Sequence, residues 1–164
     1  MMPVTSRQAA LLVFAAAAFA LLFALTMEYG YGFMPCHLCL YQRGPYAAIL
    51  VLSATAAWPG STSRQRATLL ALCALAFAID AGIALYHTGV ESQWWLGPTS
   101  CTRSGPLAQT AEELMAMLNK PIVVSCDVVQ WSLFGISMAG YNCLYAVGCT
   151  VLTGIAARFA RKTS

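Results

Sequence analysis

The chain has 164 residues, 59% of them hydrophobic and only 9% charged, with a formal net charge of +3. An ordinary soluble domain carries roughly 25% charged residues, so a water-soluble globular enzyme is excluded. The small positive excess asks for no nucleic-acid partner, because the placement of the basic residues along the chain accounts for it.

The first apolar run, Ala9 to Met27, exceeds the apolar core of roughly 7–15 residues of a secretory signal peptide. Three more runs follow it, so a retained membrane anchor is expected. A short aromatic stretch (Tyr29, Tyr31, Phe33, with glycines at 30 and 32) leads to the second run, Leu40 to Trp58, whose one charge is Arg43. Pro59-Gly60-Ser61-Thr62-Ser63 reads as a tight turn before the third run, Ala67 to Tyr86. A polar loop then extends from about Thr88 to Gln130, ahead of the fourth run, Trp131 to Ala157. In that loop Trp94-Trp95 suit a membrane interface. Ala111 to Leu118 reads as a short helix, either lying on the membrane surface or half-buried in the loop.

Each run is about long enough to cross a hydrocarbon core of roughly 30 Å as a helix. The expectation is an all-α membrane protein, a four-transmembrane-helix bundle forming one integral membrane domain over 1–164. Its spans cover about 9–27, 40–58, 67–87 and 131–157, its outer loops 28–39 and 88–130. Arg7, Arg64, Arg66, Arg158, Arg161 and Lys162 fall in the two tails and the middle turn, where no acidic residue occurs; Glu28, Glu91, Glu112, Glu113 and Asp127 fall on the other side. Basic residues stay cytoplasmic. Both termini are therefore expected inside, and both cysteine-bearing loops outside, where disulfides persist.

The chemistry starts at Cys36-His37-Leu38-Cys39. A CxxC pair cycles readily between dithiol and disulfide. Pro35 makes Cys36 the opening residue of the second span, where the positive end of the helix dipole favours a thiolate. Cys101 and Cys126, 25 residues apart in the long loop, read as an exposed second pair able to hand electrons to the first. Cys39 and Arg43 are four apart, hence on one helix face. An arginine there costs about 2.5–3.5 kcal/mol at a helix centre and less near an end. It either snorkels to the interface or stabilises negative charge on Cys39 or on a bound electron acceptor. A structural disulfide and a metal site remain open for the CxxC. No second CxxC or His pair completes four zinc ligands, and no metal is assigned. Asp80, two turns from His87 on one face of the third span, is either a proton relay or an interhelical hydrogen-bonding group. Cys73, Cys143 and Cys149 read as small core residues. Tyr29, Tyr31 and Trp131 either wall a ring-binding pocket or anchor the chain at the interface.

Pro35-Cys36-His37-Leu38-Cys39-Leu40-Tyr41-Gln42-Arg43 resembles the Pro-Cys-x-x-Cys-x-Tyr-x-Arg signature of the DsbB family, bacterial inner-membrane proteins that generate disulfides. The resemblance covers nearly the whole chain, and Gln130-Trp131 with Leu133-Phe134-Gly135 is similar to the family's entry into its last span. It implies a multi-pass protein of the bacterial inner membrane, both termini cytoplasmic and both cysteine loops periplasmic. The activity implied is a quinone-dependent protein-disulfide oxidoreductase working with ubiquinone or menaquinone and a DsbA-like periplasmic thioredoxin-fold partner. Cys36, Cys39, Cys101 and Cys126 become the catalytic residues. The partner attacks Cys101, Cys126 attacks Cys36, and Cys39 passes electrons to a quinone near Arg43. His87 matches a position near the quinone, its other reading being an interfacial histidine; His37 lies where the family varies. DsbA sits near about −120 mV and stable structural disulfides below about −300 mV, a gap of roughly 8 kcal/mol for two electrons, so a downhill acceptor is required.

Two other classes compete. A vitamin K epoxide reductase-like relay also uses four cysteines on a helical bundle, but its CxxC follows the loop cysteines, whereas Cys36 and Cys39 come first here. A non-enzymatic protein with structural disulfides would resist thiol labelling after mild reduction.

Overall fold

Local sequence signals start the helices where they are found. Thr5 caps α1 (Ser6–Leu25) and Thr62 caps α3 (Ser63–Glu91), each as a capping box with a glutamine three residues on, Gln8 and Gln65. In this computed structural model residues 5–98, 110–112, 115 and 124–162 are described. After α1 the chain makes one π-helical turn, Thr26–Gly30, and α2 (His37–Ala57) begins at the CxxC with Cys36 as its N-cap. α4 (Met138–Lys162) is the last helix, with Arg161 and Lys162 in its final turn, where cations suit the dipole.

The helices α1 with its π-helical turn, α3 and α4 are long and apolar enough to cross a membrane. α2, at 21 residues, is about 31 Å long. Packing is most extensive between α3 and α4, then between α2 and α3 and between α1 and α2. The interior is built largely from small side chains: Ala10, Ala17, Ala56, Ala67, Ala157 and Ala160 surround Ile49, Leu70 and Phe77. Leu12, Phe19, Leu22, Val51, Leu75, Leu152 and Phe159 are exposed. That distribution is what a bilayer asks for, since lipid tails accept large apolar groups and small residues let helices approach. Arg7 Nε and Arg66 Nε donate to the carbonyls of Ala57 and Ala56 at 3.1 and 3.2 Å. These two arginines thus close the C-terminus of α2 and collect basic charge at that end of the bundle.

The fourth apolar run is not helical throughout. Ser132–Leu133 pairs antiparallel with Ile136–Ser137, and α4 begins only at Met138, seven residues after the run starts. Phe134 (φ 51°) and Gly135 (φ 79°) both lie in the left-handed region, the geometry of a two-residue type I′ hairpin turn. Apolar content alone could not separate this hairpin from a helix. At the third-helix end, Trp95 stacks on Tyr86 (5.9 Å, 8°) and donates from Nε1 to the Tyr86 carbonyl at 2.9 Å. Its indole lies on Gly89, where a Cβ would come within 2.0 Å of the ring. Cys101 and most of the expected 111–118 helix lie outside the described residues; Ala111, Glu112 and Met115 are helical.

Candidate functional site

Capping explains the position of the two cysteines of the CxxC. The Cys36 sulfur accepts from the Cys39 N–H at 3.3 Å, as an N-cap side chain does, and this folds the two sulfurs together at 3.0 Å. The Cys36 thiol is held above the usual thiol range, first by its hydrogen bond to the Cys39 sulfur and then by burial.

The structure brings three other expected residues to this pair. His87 is 3% exposed and places Nε2 3.5 Å from the Cys36 sulfur. Cys126 is 1% exposed and packs in one buried cluster with Cys36, Leu38, Val90 and Cys39. The expectation of an exposed loop cysteine is corrected: the segment folds inward, held where Gln130 Nε2 donates to the Met34 carbonyl at 2.9 Å and Ser125 donates to Asp127. Arg43 shares a cavity with Cys39, and its Nη2 stands 2.6 Å from Glu28 Oε2. Arg43 Nε has no hydrogen-bond partner among the described residues.

That cavity has a volume of about 680 Å³ and is walled mainly by apolar side chains of α1, α4 and the segments that precede α2 and α4, with polar side chains of α2 on one side. Phe19, Phe23 and Leu144 line it and are themselves exposed, so it opens on the flank of the helices. Trp131 lines it too, whereas Tyr29 and Tyr31 are 80% and 72% exposed and form no wall. Cys36, Cys39 and His87 place their ligand atoms within 4.8 Å of one another. Two thiolates on a tetrahedral zinc with Zn–S near 2.3 Å stand about 3.8 Å apart, so sulfurs at 3.0 Å suit thiol–disulfide chemistry better than a metal.

Four residues of the site escaped sequence reasoning. Glu28 served there only as a marker of sidedness. Gln42, Tyr46 and Asn142 form, with Asp80, a buried polar chain behind His87. Asp80 accepts from Asn142 Nδ2 at 3.0 Å, the geometry of an interhelical hydrogen-bonding group. One signal for Asn142 was available: it is the only carboxamide in the fourth apolar run. Cys73 is buried in the helix core, and Cys143 lies against the Ala81 carbonyl.

The family model described as Disulfide bond formation protein DsbB matches residues 6–156. Disulfide bond formation protein B of Chromobacterium violaceum is 32% identical over 158 residues, covering 92% of each chain. Disulfide bond formation protein B 2 of Pseudomonas syringae pv. syringae is 30% identical over 140 residues, covering 79% of this chain and 75% of its own. No solved structure matches the chain.

Proposed function

The chain belongs to the DsbB family of disulfide bond formation proteins, and on that premise we propose that it reoxidises a DsbA-like periplasmic partner and delivers the electrons to a membrane quinone. One observation carries this reading: the Cys36–Cys39 pair lines a largely apolar cavity together with Arg43 and His87, and Cys126 packs in the same cluster as the pair. A cavity of about 680 Å³ falls in the usual range for small-molecule sites, about 300–1,000 Å³. The unpartnered Arg43 Nε is a donor suited to a carbonyl oxygen, so the residues fit a quinone headgroup. When bound, a quinone supplies an acceptor for two electrons and two protons.

The protein's own steps are thiol–disulfide exchanges. A thiolate of the reduced partner attacks Cys101, breaking the Cys101–Cys126 bond and freeing the Cys126 thiolate. Cys126 attacks Cys36, breaking the Cys36–Cys39 bond and leaving Cys39 as the thiolate beside the cavity. The partner's second thiol displaces Cys101 and closes the partner's own disulfide. Cys101 then reclaims Cys126, which frees Cys36. The resulting Cys36–Cys39 dithiol closes again by losing two electrons and two protons to the cavity side. Purified protein, reduced partner and a quinone, followed by quinone absorbance, test the scheme. One quinone consumed per partner disulfide formed is expected; partner oxidation without quinone consumption would sink the reading.

Sidedness follows from the same proposal, with both termini cytoplasmic in the bacterial inner membrane and the cysteine loops periplasmic. Support comes from Arg7 and Arg66 meeting at the C-terminus of α2, opposite the end that carries the CxxC. Reporter fusions after Gly60 and after Gly105 should give opposite signals, cytoplasmic and periplasmic respectively. Matching signals would contradict this topology.

A further inference from the structure

A neutral imidazole carries one proton, and the nitrogen that holds it decides what His87 offers its neighbours. Building on the functional reading above, we propose that Gln42 is a positioning residue that fixes His87 as its Nε2–H tautomer and aims that proton at the Cys36 sulfur. The tautomer is read from its hydrogen-bond partners, and here an ionised Asp80 sets the direction of the whole chain.

The chain starts at Asp80, fully buried on α3. As a carboxylate its Oδ2 can only accept. The Asn142 atom 3.0 Å away is therefore the amide nitrogen, which leaves Asn142 Oδ1 to accept from the Tyr46 hydroxyl at 2.6 Å. The same nitrogen has a second hydrogen, donated to Gln42 Oε1 at 2.9 Å. Gln42 then presents its NH₂ group to His87 Nδ1 at 3.0 Å, and Nδ1 has to accept. The imidazole proton is left on Nε2, 3.5 Å from Cys36 Sγ and 3.7 Å from Glu91 Oε1. Flipping Gln42 alone would set its NH₂ against the Asn142 NH₂ and cost a buried hydrogen bond; the alternative tautomer needs both amides flipped and a proton on Asp80 Oδ2.

This orientation has a consequence for the pair. Cys36 must give up its proton before the Cys36–Cys39 bond can close, and its thiolate forms in a buried site. A donor on its sulfur stabilises that thiolate. In the other tautomer an Nε2 lone pair would face the sulfur and repel it, and His87 would act as a base instead of a donor.

The test uses the whole chain in detergent, labelled with ¹⁵N-histidine in a common His37→Gln background; His37 and His87 are its only histidines. In the reduced protein Nδ1 should resonate as unprotonated and Nε2 as protonated. Gln42→Glu, a near isostere that accepts from both neighbours, should reverse the two. Gln42→Met should give a mixture and serves if the buried glutamate prevents folding. Single-turnover oxidation of Cys36–Cys39 by a short-chain quinone, without partner, should slow about tenfold in Gln42→Glu and less in Gln42→Met. A protonated Nδ1 in the parent, a tautomer unmoved by either substitution, or oxidation that is unchanged or faster would each overturn the proposal. If quinone fails to oxidise even the parent, the functional reading falls, and the tautomer measurement alone still decides the role of Gln42.

Discussion

Cys126→Ala is expected to lower partner oxidation by about three orders of magnitude or more, the scale on which losing a nucleophile acts. Oxidation of Cys36–Cys39 by quinone should meanwhile continue. The reason lies in the place of Cys126: buried, in one cluster with Cys36, on a segment tied to the Met34 carbonyl by Gln130. Without this thiol nothing carries electrons from Cys101 to Cys36. Cys101, left alone, has no disulfide to offer the reduced partner, so no mixed disulfide between them should appear on non-reducing gels. The quinone reaction doubles as a control for folding, since a collapsed site would lose both activities. Normal turnover in Cys126→Ala would refute transfer between the two loops.

The parts of this site that sequence could reach share a physical character. Cys36, Cys39 and Arg43 lie within one helical stretch, so spacing alone puts Cys39 and Arg43 on one face. The long apolar helices were legible because hydropathy is summed over some twenty residues. What escaped depends on register between distant segments. Gln42 meets Asn142 100 residues away, and nothing in either local sequence specifies the partner. Cys126 sits in a polar loop, and polarity suggested exposure; its burial follows from contacts with Cys36 and Val90. The hairpin at Ser132–Ser137 was hidden by its own apolar residues, with Gly135 as the one local clue. His87 was placed by family resemblance, and only the packed helices bring it to Cys36.

Arg43→Met is expected to raise the apparent quinone KM about ten- to a hundredfold, with exchange between partner and Cys101–Cys126 largely intact. Charge-assisted hydrogen bonds contribute about 1.5–3 kcal/mol, which corresponds to roughly that factor. The ion pair at 2.6 Å with Glu28 changes how the experiment has to be built. Removing Arg43 strips the donor proposed to face the quinone and also leaves a largely buried carboxylate without its counter-charge, which destabilises the fold independently. The double variant Arg43→Met with Glu28→Gln separates the two effects. It should recover thermal stability while the KM stays raised, because the Nε donor is still missing. Glu28→Gln alone keeps the guanidinium and should not raise the KM. Arg43→Lys should recover only part of the affinity, since a point charge lacks the planar fork that keeps Nε and Nη2 directed at different partners. An arginine that merely reaches for the interface would behave otherwise: its loss would lower stability, and neutralising Glu28 would restore everything. Steady-state kinetics with varied quinone across these four variants decides the matter, and an unchanged KM in Arg43→Met, or its full recovery in the double variant, removes Arg43 from the quinone site.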